Sequence, residues 1–288
     1  MSNLFLLGLI CVIPIIAIVL AEKNRRDKLL RDNARVCLTS LTTLKALLIY
    51  IQRHRGLTTG SLHGDASLRG QIQQVASKID SLWQTTEHDF PAIAEEPLYE
   101  GIYSHWQRLN RHWQNQTVGN NIDQHSRLIT NLLYLIENQA ESNALLIKYG
   151  RETGLDVIWK ELLETIEAVG QVRAIGMGVV SSGNSSAIER IQLKFLIDKV
   201  LSRLSTLNEA LLKDSPCLIN KEWSKPLISQ ANEKTNSLFG FIESSMLRGQ
   251  LCNVSSETFF GLATSAIEPL DSLFNKASNE ISLRYENK

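Results

Sequence analysis

Apolar residues return every three or four positions along nearly the whole chain. Leu38, Leu41, Leu44, Leu48 and Ile51 form one such stripe. Ile129, Leu132, Leu133, Ile136, Ala140 and Leu145 form another, followed by Val157, Trp159, Leu162, Leu163, Ile166 and Val169. Ile191, Phe195, Ile197, Val200, Leu204 and Leu211 continue it. This is the period of a helix with one buried face, not the period-two alternation of a strand. Breaks are expected at Gly60–Asp65, Gly119–Asn121 and Ser181–Ser186, with Pro91 and Pro97 bracketing one connection and Pro216 and Pro226 another. The pattern predicts helices over about 24–60, 66–89, 97–116, 121–150, 152–181, 185–213, 220–250 and 256–284. Long helices joined by short turns pack as antiparallel bundles. The expected fold is therefore all-α, with long antiparallel helices in one or two four-helix bundles.

One stretch departs from this periodicity. Leu4 to Ala21 reads LFLLGLICVIPIIAIVLA, without a charge, long enough to cross most of a hydrocarbon core. Pro14 within it is tolerable in a lipid-embedded helix. A secretory signal is the rival reading, with Val19-Leu20-Ala21 as a cleavage site, but no Lys or Arg precedes the run. Lys23, Arg25, Arg26, Lys28, Arg31 and Arg35 follow it, against Glu22, Asp27 and Asp32. A basic excess on one flank marks the cytoplasmic side. The expected organisation is a transmembrane anchor over 1–21, a basic juxtamembrane linker or helix start over 22–37, and a helical domain over 38–288. The protein would be a single-pass inner-membrane protein with its C-terminal domain in the cytoplasm.

Composition removes several function classes. Lys plus Arg and Asp plus Glu each total 30, so no basic excess favours nucleic acid. Gly and Pro number 16 and 6, well below the roughly 12% usual share and too few for an all-β fold with its frequent turns. Cys37, Cys217 and Cys252 are scattered, with no close pair for a disulfide or metal site. No phosphate loop, GxSxG elbow, HExxH or CxxC occurs, so no enzyme is expected and no cofactor or metal. His105 and His112, near Trp106 and Trp113, would need further ligands to hold a metal; an amphipathic helix with half-exposed histidines accounts for them better. Gly170, Gly176, Gly178 and Gly183 follow a helical pattern rather than a strand, which favours close helix packing over a nucleotide cradle.

The informative chemistry lies where charge is scarce. Arg173 is the only charged residue between Glu167 and Glu189, and Arg248 the only one between Glu243 and Glu257. Arg55 lies in a stretch, Asn33 to Gly64, that contains no Asp or Glu. Each is closely followed by glycine, at Gly56, Gly176 and Gly249. A glycine within a helix costs about 1 kcal/mol against alanine, and one compensation is close approach of another group. A guanidinium in apolar surroundings must reach water, cap carbonyls, pair with a carboxylate, or wait for an anion. For a single arginine the structural alternatives prevail; three on separate helices leave a shared anion site open. The rigid donor fork of arginine matches the in-plane oxygens of a small flat anion. Thr58, Thr59, Ser244, Ser245 and Gln250 could add neutral hydrogen bonds.

Three segments carry a resemblance. IYIQRHRGLTTGSLHGD, EAVGQVRAIGMGVVSSG and MLRGQLCNVSSETFFGLATSAIEPLDSLF resemble, in order and spacing, the conserved stretches of the nitrate- and nitrite-sensing (NIT) domain family, over about 38–284. The resemblance implies two four-helix bundles sharing long helices, and arginines on separate helices that bind nitrate or nitrite. Carried over by position these are Arg55, Arg173 and Arg248, with Arg53 a weaker fourth candidate. His54 stands where the family often has glutamate. Members usually carry an output module, for which the sequence through Lys288 leaves no room. The resemblance thus implies a membrane-anchored sensor of a small inorganic anion, held to the membrane through Leu4–Ala21. It would signal through an unknown protein partner, with homodimerisation open. The alternative is a membrane-tethered helical scaffold without a ligand.

Overall fold

The computed structural model describes residues 2–143, 157–212, 221–248 and 254–286. Among these the chain is all-α. Helix α1 (Ser2–Leu62) runs unbroken for 61 residues, on the order of 90 Å. It is followed by α2 (Arg69–Asp89), α3 (Pro91–Ala94), α4 (Pro97–His112) and α5 (Val118–Ser142). A wide π turn at Ile158–Leu162 leads into α6 (Leu163–Ser182), then α7 (Ala187–Leu212), α8 (Lys221–Ser245) and α9 (Ser256–Glu286). The parts of the predicted helices that cover 144–150, 152–156, 213, 220 and 249–250 lie outside the described residues, as does Pro216.

Local chemistry sets the ends. Gly64 and Gly183 take positive φ, 108° and 73°, where α1 and α6 stop, a conformation that costs glycine nothing. Pro91 and Pro97 occupy first-turn positions of α3 and α4, where the missing N–H is no loss. Ser186 and Glu189 form a reciprocal capping box at the start of α7. The Ser186 amide donates to the Glu189 carboxylate at 2.7 Å, and the Glu189 amide to Ser186 Oγ at 3.2 Å. Three expectations differ, the first being that Gly119–Asn121 lie within the first turn of α5 rather than at a break. Pro226 lies inside α8 rather than in a connection, where it supplies no N–H for the Glu222 carbonyl one turn before it. And α1 does not begin near residue 24, because nothing between Ala21 and Lys28 breaks a helix.

The helices form two layers about α1. One flank of α1 packs against α2 and α5, with α4 on α5. The other packs against α6 and α9, with α7 and α8 closing that half. Before Ala34 almost every described α1 side chain is exposed, including Ile15–Leu20. From there Ala34, Leu38, Leu41, Leu44, Leu48 and Ile51 are buried at three-and-four spacing, the predicted stripe. Deeper in, α1 is enclosed on all sides: from Ile51 to Gly60 every residue but Arg53 is buried. Helix α6 is enclosed too, with Leu163, Thr165–Gly170, Val172–Ala174 and Gly176–Val180 all buried. The core is therefore apolar around Leu41–Leu48, Trp83 and Trp106, but polar where α1 and α6 cross.

Candidate functional site

The polar crossing is built from Gln52, Arg53 and Arg55 of α1, Glu167 and Arg173 of α6, and Phe260 and Thr264 of α9. Glycine permits the approach. A Cβ on Gly170 would stand 3.2 Å from Arg55 Nη2 and 3.3 Å from Gln52 Cδ. A Cβ on Gly176 would stand 2.2 Å from the Phe259 ring, so only glycine admits that ring. The expectation that glycines beside the arginines serve close contact holds at Gly176, while Gly249 lies outside the described residues.

Arg55 and Arg173 are both buried but are treated in opposite ways. Arg55 makes a bidentate pair with Glu167, Nη1 to Oε1 at 2.8 Å and Nη2 to Oε2 at 3.1 Å, and Nη1 also donates to Ser126 Oγ at 3.0 Å. Gln52 and Gln171 each donate to the same carboxylate at 2.8 Å. Four side-chain donor contacts saturate Glu167, which is what a buried carboxylate needs.

Arg173 has no such partner. Its Nη1 donates to Thr264 Oγ1 at 3.1 Å, and its Cζ lies 4.9 Å from the centre of the Phe260 ring. Its Nε and Nη2 are buried without a hydrogen-bond partner among the described residues, as are Arg53 Nε and Arg55 Nε. The Arg53 Cζ lies over the same Phe260 ring at 5.4 Å. Burial first, then the positive charges of Arg55 and Arg53, push the Arg173 guanidinium down to about 9; Glu167 opposes this only in part. Three guanidinium groups against one carboxylate leave a surplus of two positive charges in a low-dielectric crossing. That surplus and the unpartnered donors are what an anion would relieve.

Arg248 stands apart. It follows α8, its side chain is exposed, and the residues after it lie outside the description. Ser244 is exposed, and Thr58 and Thr59 turn their hydroxyls back to α1 carbonyls of His54 and Arg55. Gln250 lies outside the described residues. The sequence-derived arginines thus separate into two buried ones, Arg55 and Arg173, with the half-buried Arg53 beside them, and an exposed Arg248.

A family model described as nitrate and nitrite sensing matches residues 46–282. The chain belongs to the nitrate- and nitrite-sensing family. The match begins within α1 and ends near the close of α9, so it contains the whole polar crossing. Among solved structures, that of the NasR transcription antiterminator is similar, with a TM-score of 0.69 at 14% identity, covering 94% of this chain and 74% of that one. At such identity the likeness is one of fold. No curated protein sequence matches the chain. The family's described role is sensing, a signalling task rather than a catalytic one.

Within this family domain three contributors were not singled out from the sequence. Glu167 had entered only as the border of a charge-poor stretch. Phe260 and Thr264 lie i and i+4 on α9 in the segment FFGLAT, a spacing that puts them on one helix face. Nothing in that spacing separates such a ring from ordinary core. The histidine at position 54 has a partner instead of a ligand. His125 Nδ1 donates to the Asn121 carbonyl at 2.8 Å, which leaves its Nε2 to accept from His54 Nδ1 at 2.9 Å. Burial holds both rings neutral, pushing His54 down to about 3 and His125 well below its usual range.

Proposed function

We propose that this chain is a membrane-anchored sensor that takes nitrate or nitrite at Arg173 and Arg53. Arg55 is the structural member of the trio, neutralised by Glu167. The observation that carries this reading is the pair of buried donors on Arg173 and the Nε of Arg53, all without a partner among the described residues. A flat monoanion would accept from these edges in its own plane and offset the surplus charge. Because Arg53 is on α1 and Arg173 on α6, the bound anion would draw two helices together. A ligand that favours one packing over another shifts the population of the bundle. Helix α1 continues unbroken from the site toward Leu4–Ala21, so a shift at the crossing would be carried along it to the membrane. The basic flank from Lys23 to Arg35 supports a sensing domain on the cytoplasmic side. The signal would pass to a protein partner or through a second copy of the chain.

Calorimetry on the full chain in detergent tests this with nitrate, nitrite, chloride and sulfate. Heat is expected with the nitrogen oxyanions, and Arg173→Ala should abolish it with helicity unchanged. A folded wild-type chain that gives no heat with either oxyanion refutes the reading. It would favour instead the tethered scaffold, whose one supporting observation is that Arg55 is already paired with Glu167.

A further inference from the structure

We infer that Phe260 is the positioning residue of this site. Its ring holds the two arginines in place while leaving their donors available. The inference rests on the functional reading above and adds how the site is kept ready.

Burying a guanidinium requires some compensation for its charge. A carboxylate compensates by accepting hydrogen bonds, and so consumes the donors. Glu167 does this to Arg55. An aromatic face compensates through its quadrupole and accepts no conventional hydrogen bond. Phe260 is buried, and the guanidinium carbons of Arg173 and Arg53 lie 4.9 and 5.4 Å from its centre. The donors Arg173 Nε, Arg173 Nη2 and Arg53 Nε remain without partners among the described residues. One ring from α9 thus holds a cation from α1 and a cation from α6, and spends none of those three donors.

The surroundings fix the ring. Its neighbour Phe259 is fully buried against the bare Cα of Gly176 and against Phe241, ring centres 5.9 Å apart, which sets the first turn of α9. On the α1 side, Gly56 leaves room: a Cβ there would lie 3.5 Å from the Phe260 ring and 3.8 Å from Arg173 Cγ and Nε. Thr264, one turn beyond Phe260, takes Arg173 Nη1. Both fixed points of the Arg173 head therefore belong to α9. An anion seated on its remaining edge is coupled to the last helix as well as to α1. The apolar wall also disfavours strongly hydrated anions, because a dianion such as sulfate would lose its water against a ring that returns no hydrogen bond.

The test uses the full chain in detergent, with Phe260 replaced by mono-, di- and trifluorophenylalanine and by leucine. Fluorination drains the π face at nearly constant shape. Nitrate and nitrite affinities are read by calorimetry and anion-free melting by circular dichroism. Affinity is expected to fall stepwise with fluorination, on the order of tenfold at trifluorophenylalanine, with Phe260→Leu at least as low. Anion-free melting temperature should fall in the same order. Wild-type binding with a flat fluorination series reduces the ring to packing and overturns the inference alone. Affinity that rises with fluorination means the ring competes with the anion, and also overturns it. Absence of heat from the folded wild-type chain overturns the functional reading and this inference with it.

Discussion

Arg55 and Arg173 come from helices that cross, are equally hidden from water, and sit in one electrostatic neighbourhood. Yet one is locked and the other is left available. Arg55 meets Ser126 of α5 and the saturated Glu167 of α6, which take both of its terminal nitrogens. Arg173 faces α9, where a benzene ring and a single hydroxyl meet it. The difference teaches that burial alone does not mark a binding arginine. What marks it is the absence of an acceptor where the charge has nowhere to go.

The largest expected effect is a difference in cost between the two sides. Glu167→Gln leaves Arg55 as a buried charge without a counter-ion, and should cost about 3–5 kcal/mol of unfolding free energy. Arg173→Met removes a charge that has no counter-ion, so its cost should be under about 1 kcal/mol, or a gain, when no anion is present. Denaturant unfolding of the detergent-solubilised chain, followed by circular dichroism, reads both. Equal losses would erase the contrast.

Packing at the two arginine-associated glycines should differ next. Gly176→Ala drives a Cβ to 2.2 Å from the Phe259 ring, and should cost about 2–3 kcal/mol as the ring is displaced. Gly56→Ala meets Phe260 at an ordinary 3.5 Å, and the gain in helix propensity, up to about 1 kcal/mol, should decide its sign. Melting temperatures of the two variants separate them. If Gly56→Ala melts lower, the ring and Arg173 are seated more tightly against α1 than these distances indicate.

Acid should attack the Arg55 side first. His54 and His125 lie with ring centres 5.2 Å apart, His54 meets Trp106 edge-on at 5.0 Å, and both stay neutral in the fold. Their folded values lie below the ordinary 6.5, so the unfolded chain binds protons that the folded chain refuses. Their contribution is intact above about pH 6.5 and is lost as pH falls from there toward about 3, the folded value of His54. Each histidine should steepen the loss by up to about 1.4 kcal/mol per pH unit within that window. Unfolding measured from pH 7 to 4 should show this slope, and His54→Phe should flatten it. An unchanged slope in that variant would mean that other groups drive acid unfolding.

How legible this was follows from which signals are local. Helix extents were readable because the apolar stripe on α1 from Leu38 to Ile51 has the period of one buried face. The unbroken passage of α1 through 22–37 was less so, since a charged stretch reads as a linker when no tertiary contact is known. The arginines stood out because their surroundings lacked charge. Their ranking did not, because it depends on partners far along the chain. Glu167 reaches Arg55 across 112 positions, and Thr264 reaches Arg173 across 91. By its offset from Gly56 Arg53 is the weakest candidate, yet it shares the Phe260 ring with Arg173. A guanidinium two residues from another on a helix points to a different side, and only the third dimension says which side holds a carboxylate.

The smallest expected effect belongs to Arg248. Its exposed side chain already has water, so it carries no strain for an anion to relieve. Arg248→Ala should change nitrate affinity by no more than about threefold, a fraction of the loss from Arg173→Ala, and mainly at low salt, where a surface charge still steers an anion. Titrations of the two variants at low and physiological ionic strength make the comparison. A loss as large as that of Arg173→Ala, and insensitive to salt, would mean that Arg248 closes onto the bound anion. The contrast between a locked and an available arginine would then need a third member, one recruited by the ligand itself.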